Sequence, residues 1–346
     1  MPLRHDQIDD FVQTTLPKFK RKSWTDLSLE HPEYIASSII NDKNVTEDGG
    51  TEISFRVKIR NTGNARATGL YAQDITKVED VMITGRVNWT YQTTNFSYDI
   101  YEDMWQSDRE TIIRQLQIRE HDALSDMAEL TEQQMWTAPT SGADPNPYGI
   151  PWWLQKDATT TEDGGFNGTN PGAGLYRAGI DSSLYPRWRN WTAGYRTVTT
   201  DDLIRKIKRA LTFTNFMPPV PHPELGYGES KYQIYTTYSV QEPLERLAET
   251  RNDRLGSDVA RYMNQVTVGG TPIRWVPYLE ANDPTDAPLY GINWKVFRPF
   301  VKTGVNMRRN PPKQAPGQHT VRNVHYDNAM NYCCYDLRRN FVISKI

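Results

Sequence analysis

Six histidines (His5, His31, His121, His222, His319 and His325) and two adjacent cysteines, Cys333 and Cys334, are the residues from which a metal centre or an activated nucleophile could be built. Zinc sites draw on such ligands at short, regular spacing, and no histidine is paired with a cysteine in that way. His319 and His325 lie near the cysteines in sequence, but small buried thiols on a terminal strand are the simpler reading. There is no Gly-rich loop ending in Lys-Ser/Thr, no Gly-x-Ser-x-Gly elbow and no His-Glu-x-x-His. The glycines at 172, 174 and 179 miss the dinucleotide spacing. Carboxylates are plentiful, yet no local spacing singles out an acid–base pair. The sequence therefore predicts no catalytic, cofactor-binding or metal-binding residue, and no enzyme.

Aromatic and apolar side chains offer another chemistry, that of surfaces that meet. The chain has 10 Trp and 19 Tyr, and large amphipathic rings are enriched where proteins join. Residues 52–60, EISFRVKIR, alternate strictly, with Ile53, Phe55, Val57 and Ile59 on one side. That pattern predicts a strand with one buried face. The turn signal Asn61-Thr62-Gly63-Asn64 follows, and a second run at 81–91 carries Val81, Ile83, Val87, Trp89 and Tyr91. Together they predict a long β-ribbon. Two strands alone are marginal in water, so the apolar face must lie on its own chain or on a neighbouring one. On the second reading Ile53, Phe55, Val57, Ile59, Trp89 and Tyr91 are subunit-interface residues. Trp188, Arg189 and Trp191, in the phrase YPRWRNW, form a second candidate patch, since Trp and Arg dominate interface hot spots. A loop folded over its own core is the alternative there.

These residues need elements to hold them. Residues 1–45 read as an arm, with short apolar pieces broken by Pro17 and Pro32 and a basic cluster at Lys18, Lys20, Arg21 and Lys22. Residues 103–136 give the longest helical pattern, with Ile112, Ile113, Leu116, Ala123, Leu124, Met127 and Leu130 at helical spacing and Ser107 and Glu110 set as a capping box. Residues 138–198, rich in Gly, Pro and Asn, are too long for an ordinary connection and predict a functional loop or a contact surface. Shorter helices are expected at 200–212 and at 243–255, the latter opened by Pro243 and closed by Gly256. Strands are expected at 266–268, 273–279, 289–301 and 331–343. The order is that of an α+β protein.

Composition narrows the setting. Forty Lys and Arg against 42 Asp and Glu leave a formal charge of -2, which argues against a sequence-specific DNA binder. A protein that encloses DNA without gripping it fits. No apolar run approaches the roughly 20 residues that span a bilayer, and MPLRHDQIDDFV has no secretory apolar core. Adjacent cysteines make no disulfide framework, which suits folding in a reducing cytoplasm.

Four segments, in order, carry a resemblance: the ribbon 52–91 running into the helix 103–136; the Gly-rich stretch ending in YPRWRNWTAGY (185–195); VGGTPIRWVPYLEAND (268–283) with LYGINWKVFRPFV (289–301); and the ending NYCCYDLRRNFVISK (331–345) with Arg338 and Arg339. Together they resemble the major capsid proteins of tailed double-stranded DNA bacteriophages, the Hong Kong 97-type fold. The resemblance implies an N-terminal arm (1–45), an extended loop (46–100), a peripheral domain (101–165 and 305–346) with a spine helix at 103–136, and an axial domain (166–304). It implies a virion subunit, assembled in the bacterial host cytoplasm, whose partner is itself in hexamers and pentamers. The arm and extended loop would reach onto neighbours. It also implies a portal, a decoration protein in some relatives, and, because only a short arm precedes the ribbon, a separate scaffold protein. Some relatives cross-link Lys to Asn; Lys58 and Lys77 lie in the ribbon, but no matching Asn is found and none is expected. An encapsulin-like compartment with the same fold, or a hydrolase or carbohydrate-binding protein with an aromatic cleft, are the competing readings.

Overall fold

A computed structural model of the chain describes residues 33–40, 45–71, 73, 76–101, 109–157, 163–172, 174–221, 230–251 and 266–346. In chain order these form α1 (Ile35–Ile40), β1 (Thr46–Asp48), β2 (Glu52–Lys58), β3 (Met82–Asn88), β4 (Thr90–Asp99) and α2 (Arg109–Met135). There follow α3 (Ile150–Trp153), β5 (Trp191–Tyr195), α4 (Arg205–Thr214), β6 (Tyr232–Thr236), α5 (Tyr238–Arg251), β7 (Thr267–Val268), β8 (Thr271–Trp275) and α6 (Pro277–Asn282). The chain ends with β9 (Leu289–Asn293), β10 (Phe297–Lys302), β11 (Arg308–Arg309), β12 (Lys313–Gln314), β13 (Val321–Cys334) and β14 (Phe341–Lys345). The α+β class is as expected.

Two six-stranded sheets and one hairpin organise these elements. In the first sheet β13 is the axis: β4 pairs along one side, from Asp99 opposite Val321 to Thr90 opposite Met330, and β10, β11 and β12 share the other. The helix α2, about 40 Å long at 1.5 Å per residue, lies over this sheet. Ala123 is buried there with Phe96, Val324 and Tyr326, Leu116 and Leu124 pack against them, and Met127, one helical turn beyond Ala123, is also buried. The period-3.6 stripe of the helix thus meets the period-2 face of β4 and β13. The second sheet has the order β5-β14-β9-β6-β8-β7. Every residue of β5 and β9 is buried, which is the signature of strands covered on both faces. Helix α4 supplies part of that cover through Ile207 and Ala210, next to Leu203 in the π-helical turn (Thr200–Ile204) that leads into it.

The structure corrects several expected boundaries. The strand expected at 273–279 stops at Trp275, because Pro277 opens α6 in the first-turn position that tolerates proline. The run 289–301 is two strands, split where Asn293 Oδ1 accepts the Lys295 N–H in a side-chain turn. The terminal strand starts ten residues earlier than expected, at Val321, and a short 3-10 turn (Leu337–Arg339), opened by Asp336 accepting the Arg338 N–H, separates it from β14. Pro243 lies inside α5 instead of opening it; the helix begins after Thr237, whose carbonyl accepts from Val240 and Gln241. Gly256, Leu255, Ser107 and the arm up to residue 32 lie outside the described residues. β10, assigned to the axial part from sequence, pairs in the first sheet, and β14, assigned to the peripheral part, pairs in the second.

Candidate subunit-contact surfaces

The hairpin β2–β3 divides into an anchored base and a free tip. At the base the alternation of β2 turns Ile53 and Phe55 inward, where they join Val87 and Trp89 in the main hydrophobic core. Phe55 meets Tyr335 edge-on at 5.3 Å and lies 6.5 Å from Trp188. Gly85 faces Phe55 across the pair, and a Cβ there would sit 2.7 Å from the end of the ring. The missing side chain is what lets the ring lie flat against the sheet. Val57 and Ile59 are half-buried at the edge of the same core.

Beyond Ile59 the loop holds itself up. The Asn64 side chain accepts the Lys77 N–H at 3.0 Å and donates to the Lys77 carbonyl at 2.8 Å, standing in for a ladder partner. Arg66 donates to the Gln73 carbonyl at 2.8 Å. At the tip Leu70 is 95% exposed and Tyr71 is fully exposed, and Val78, on the returning side of the stem, is 99% exposed. These are three apolar side chains held in water with no cover among the described residues of this chain.

Within the stretch 138–198, expected as a functional loop or a contact surface, the described residues from 163 to 195 fold around a buried guanidinium. Arg177 is fully buried, and its Nη1 donates to the Trp153 carbonyl and Asn190 Oδ1, both at 2.9 Å. Its Nη2 donates to the Gly168 carbonyl at 2.7 Å and the Trp188 carbonyl at 3.3 Å. Burial holds the guanidinium pKa down at about 9, so it stays charged at neutral pH. Asn190 is fixed in turn by donating to the Gln155 carbonyl, and Gly168 approaches it so closely that no Cβ would fit.

The candidate interface residues therefore separate. Ile53, Phe55, Trp89, Trp188 and Trp191 are interior: Ile53 and Trp191 are 1% exposed, and a side chain already buried has no area left to offer a neighbour. Trp188 also donates to the Arg177 carbonyl. Arg189 is half-buried and donates to the Ser182 carbonyl. Tyr91 alone of the set is on the surface, with Lys302 over its ring. Sequence reasoning missed Leu70, Tyr71 and Val78, although their position between the two halves of an alternating ribbon was a signal for a tip.

The end of the arm is tied down within the chain. Ile35, Ala36 and Ile39 are core residues. The Glu132 carboxylate of α2, almost wholly buried, accepts the Ala36 N–H at 2.5 Å and the Trp136 indole N–H at 2.7 Å. It satisfies an orphan donor at the start of α1. Burial raises its pKa against the pull of those bonds. Residues 33–40, expected to belong to an arm resting on neighbours, are in this respect part of their own subunit.

The cysteines are buried, and burial raises both thiols. Among the described residues no three His, Cys, Asp or Glu side chains are grouped to hold a metal, and no helix is long and apolar enough to cross a membrane.

No protein-family model and no curated protein matches the chain. Solved structures do. The capsid asymmetric unit of cyanophage A-1(L) matches with a TM-score of 0.63 at 15% identity, over 93% of this chain and 96% of that one. The capsid of a native GTA particle gives 0.56 at 7% identity over 94% and 95%. The capsid of Myoviridae phage XM1 gives 0.53 at 8% identity over 95% and 98%. The chain has the tailed-phage capsid fold. In this capsid fold β2–β3 with its tip is the extended loop and α2 is the spine helix. Agreement runs nearly end to end on both chains, so the shared unit is the whole subunit and not one sheet motif.

Proposed function

We propose that this chain is the major capsid protein of a tailed double-stranded DNA phage, and that copies of it, as hexamers and pentamers, build the icosahedral head around the genome. The observation that carries this reading is the end-to-end agreement with capsid subunits of three different particles. The extended loop supports it: its base is fixed in the subunit core while Leu70, Tyr71 and Val78 stand in water. Such a tip gains stability only by burial on another molecule, and in a shell built from one subunit type that molecule is a second copy. The chain acts structurally, in the virion, after assembly in the host cytoplasm. A separate scaffold protein, a portal and a decoration protein belong to the proposal as partners.

Size-exclusion chromatography with light scattering on the purified chain tests it. Capsomers or megadalton particles are expected; a stable 39.9 kDa monomer at all concentrations would overturn the reading. Electron microscopy of particles from infected cells should show a portal vertex and packed DNA.

A further inference from the structure

Positive charge is strongly segregated along this chain. Between Asp286 and Asp327 there is no Asp or Glu, while seven Lys and Arg fall in that interval. The formal charge of the whole chain is only -2, so the remainder is net acidic. The interval runs from the second sheet (β9) into the first, and its later part folds onto the side of β13 where β11 and β12 pair in turn. Arg308, Arg309 and Lys313 are all exposed there. Arg309 pairs opposite Tyr326 and so lies on the α2 side, with one loose partner there, Glu120 at 3.8 Å. Among the described residues Arg308 and Lys313 form no ion pair. The register sets both on the face of β13 that carries Asn323, His325 and Asp327, away from α2. Asp327 brings one carboxylate to this face, and Asn310 donates to it at 2.5 Å. The sheet continues onto β4 with exposed Thr93, Asn95 and Ser97, opposite Asp327, His325 and Asn323.

We infer that this face is a phosphate-backbone contact surface for double-stranded DNA, independent of sequence. The inference rests on the shell reading for the presence of DNA and adds which residues meet it. Two features favour a duplex over an acidic protein. The first is composition: the face carries bases, hydroxyls and amides, as protein–DNA interfaces do, and lacks the apolar and aromatic core of a protein–protein interface. Its exposed large apolar side chains, Tyr91 and Met307, lie at its margins. The second is layout: exposed bases on two short strands spread along one sheet edge suit a line of phosphates. A modest number of contacts per subunit, repeated over a shell, would order the outer layer of packed DNA while each contact stays weak enough to release it.

The test is fluorescence anisotropy of the full-length subunit with a mixed-sequence duplex of about 25 base pairs, at salt from 50 to 200 mM. Two neutralised phosphates give a slope of log K against log salt of about -1.8, hence a fall in affinity of about 12-fold over that range. The R308Q/K313Q variant should flatten the slope by nearly all of that amount, and R308K/K313R should keep it, which separates loss of charge from loss of fold. An unchanged slope in the R308Q/K313Q variant, or tighter binding to poly-glutamate than to DNA, overturns the inference. Particle formation is read in parallel. The R308Q/K313Q variant is expected to assemble as the parent does, so failure of the parent to assemble refutes the shell reading, and failure to bind DNA refutes only this one.

Discussion

Replacing Arg177 by lysine tests whether the buried guanidinium organises residues 163–195. The fork of the arginine places two nitrogens against two acceptors each: Trp153 and Asn190 on one side, Gly168 and Trp188 on the other. An ammonium is a single point with three donors. It can reach one pair of acceptors and not both, so two bonds to a charged donor are lost and at least one buried carbonyl is left unpaired. At roughly 1.5–3 kcal/mol per charge-assisted bond, offset by partial relaxation, the local cost is about 2–3 kcal/mol. That corresponds to a fall of roughly 30- to 150-fold in hydrogen-exchange protection for amides that close this loop. The amides to follow are Gly168, which donates to the Asn190 carbonyl, and Trp188, which donates to Tyr185. Amides in the β4–β13 ladder serve as the internal reference and should change little. If Gly168 and Trp188 exchange in Arg177→Lys as slowly as in the parent, the guanidinium is a passenger and the loop is held by Trp188 and Trp191 packing instead.

Three further outcomes are expected. L70D/Y71D should leave the urea midpoint of the unassembled subunit nearly unchanged, because exposed positions shift stability by about 0.5 kcal/mol or less, yet light scattering should show no particles. Gly85→Ala should cost about 1–3 kcal/mol by driving a methyl into the Phe55 ring, read as a lower unfolding midpoint, and Phe55→Leu in the same chain should recover part of it. Glu132 binds its proton more tightly folded than unfolded, because burial raises its pKa. Its contribution to stability therefore falls as pH rises from the ordinary carboxylate value through the raised one; Glu132→Gln should remove that component of the pH dependence of unfolding, and an identical pH profile in the variant would count against it.

What was legible in the sequence was what depends on period. The strict alternation of 52–60 placed β2 within two residues, and the 3.6-residue stripe through Ala123 and Met127 placed α2 and its buried face. The capsid resemblance was legible too, from the order of phrases that no single phrase could carry. Partner choice was not. An inward-facing Phe55 looks the same in sequence whether Tyr335 of its own chain or a neighbour meets it, and 280 residues separate the two. The role of Arg177 left no periodic signal, since its acceptors come from irregular segments, and that of Glu132 left only half of one, since Trp136 is a helical neighbour but Ala36 is 96 residues away. The split of 289–301 between two sheets turned on one side-chain turn at Asn293.

The division of the extended loop has a physical reason. A long hairpin with no anchor would lose its register and its direction, because two strands alone are marginal. A hairpin buried along its whole length would have nothing left for a neighbour. Burying Ile53, Phe55, Val87 and Trp89 sets the angle at which the ribbon leaves the subunit, and the Asn64–Lys77 bonds carry that direction outward. The tip then arrives at its target with much of its ordering entropy already spent on folding, so a few apolar side chains suffice for a contact that symmetry repeats. Buried apolar residues at the base and exposed ones at the tip follow from this: the base must fix geometry, and the tip must bind a surface weakly enough for errors in assembly to be reversed.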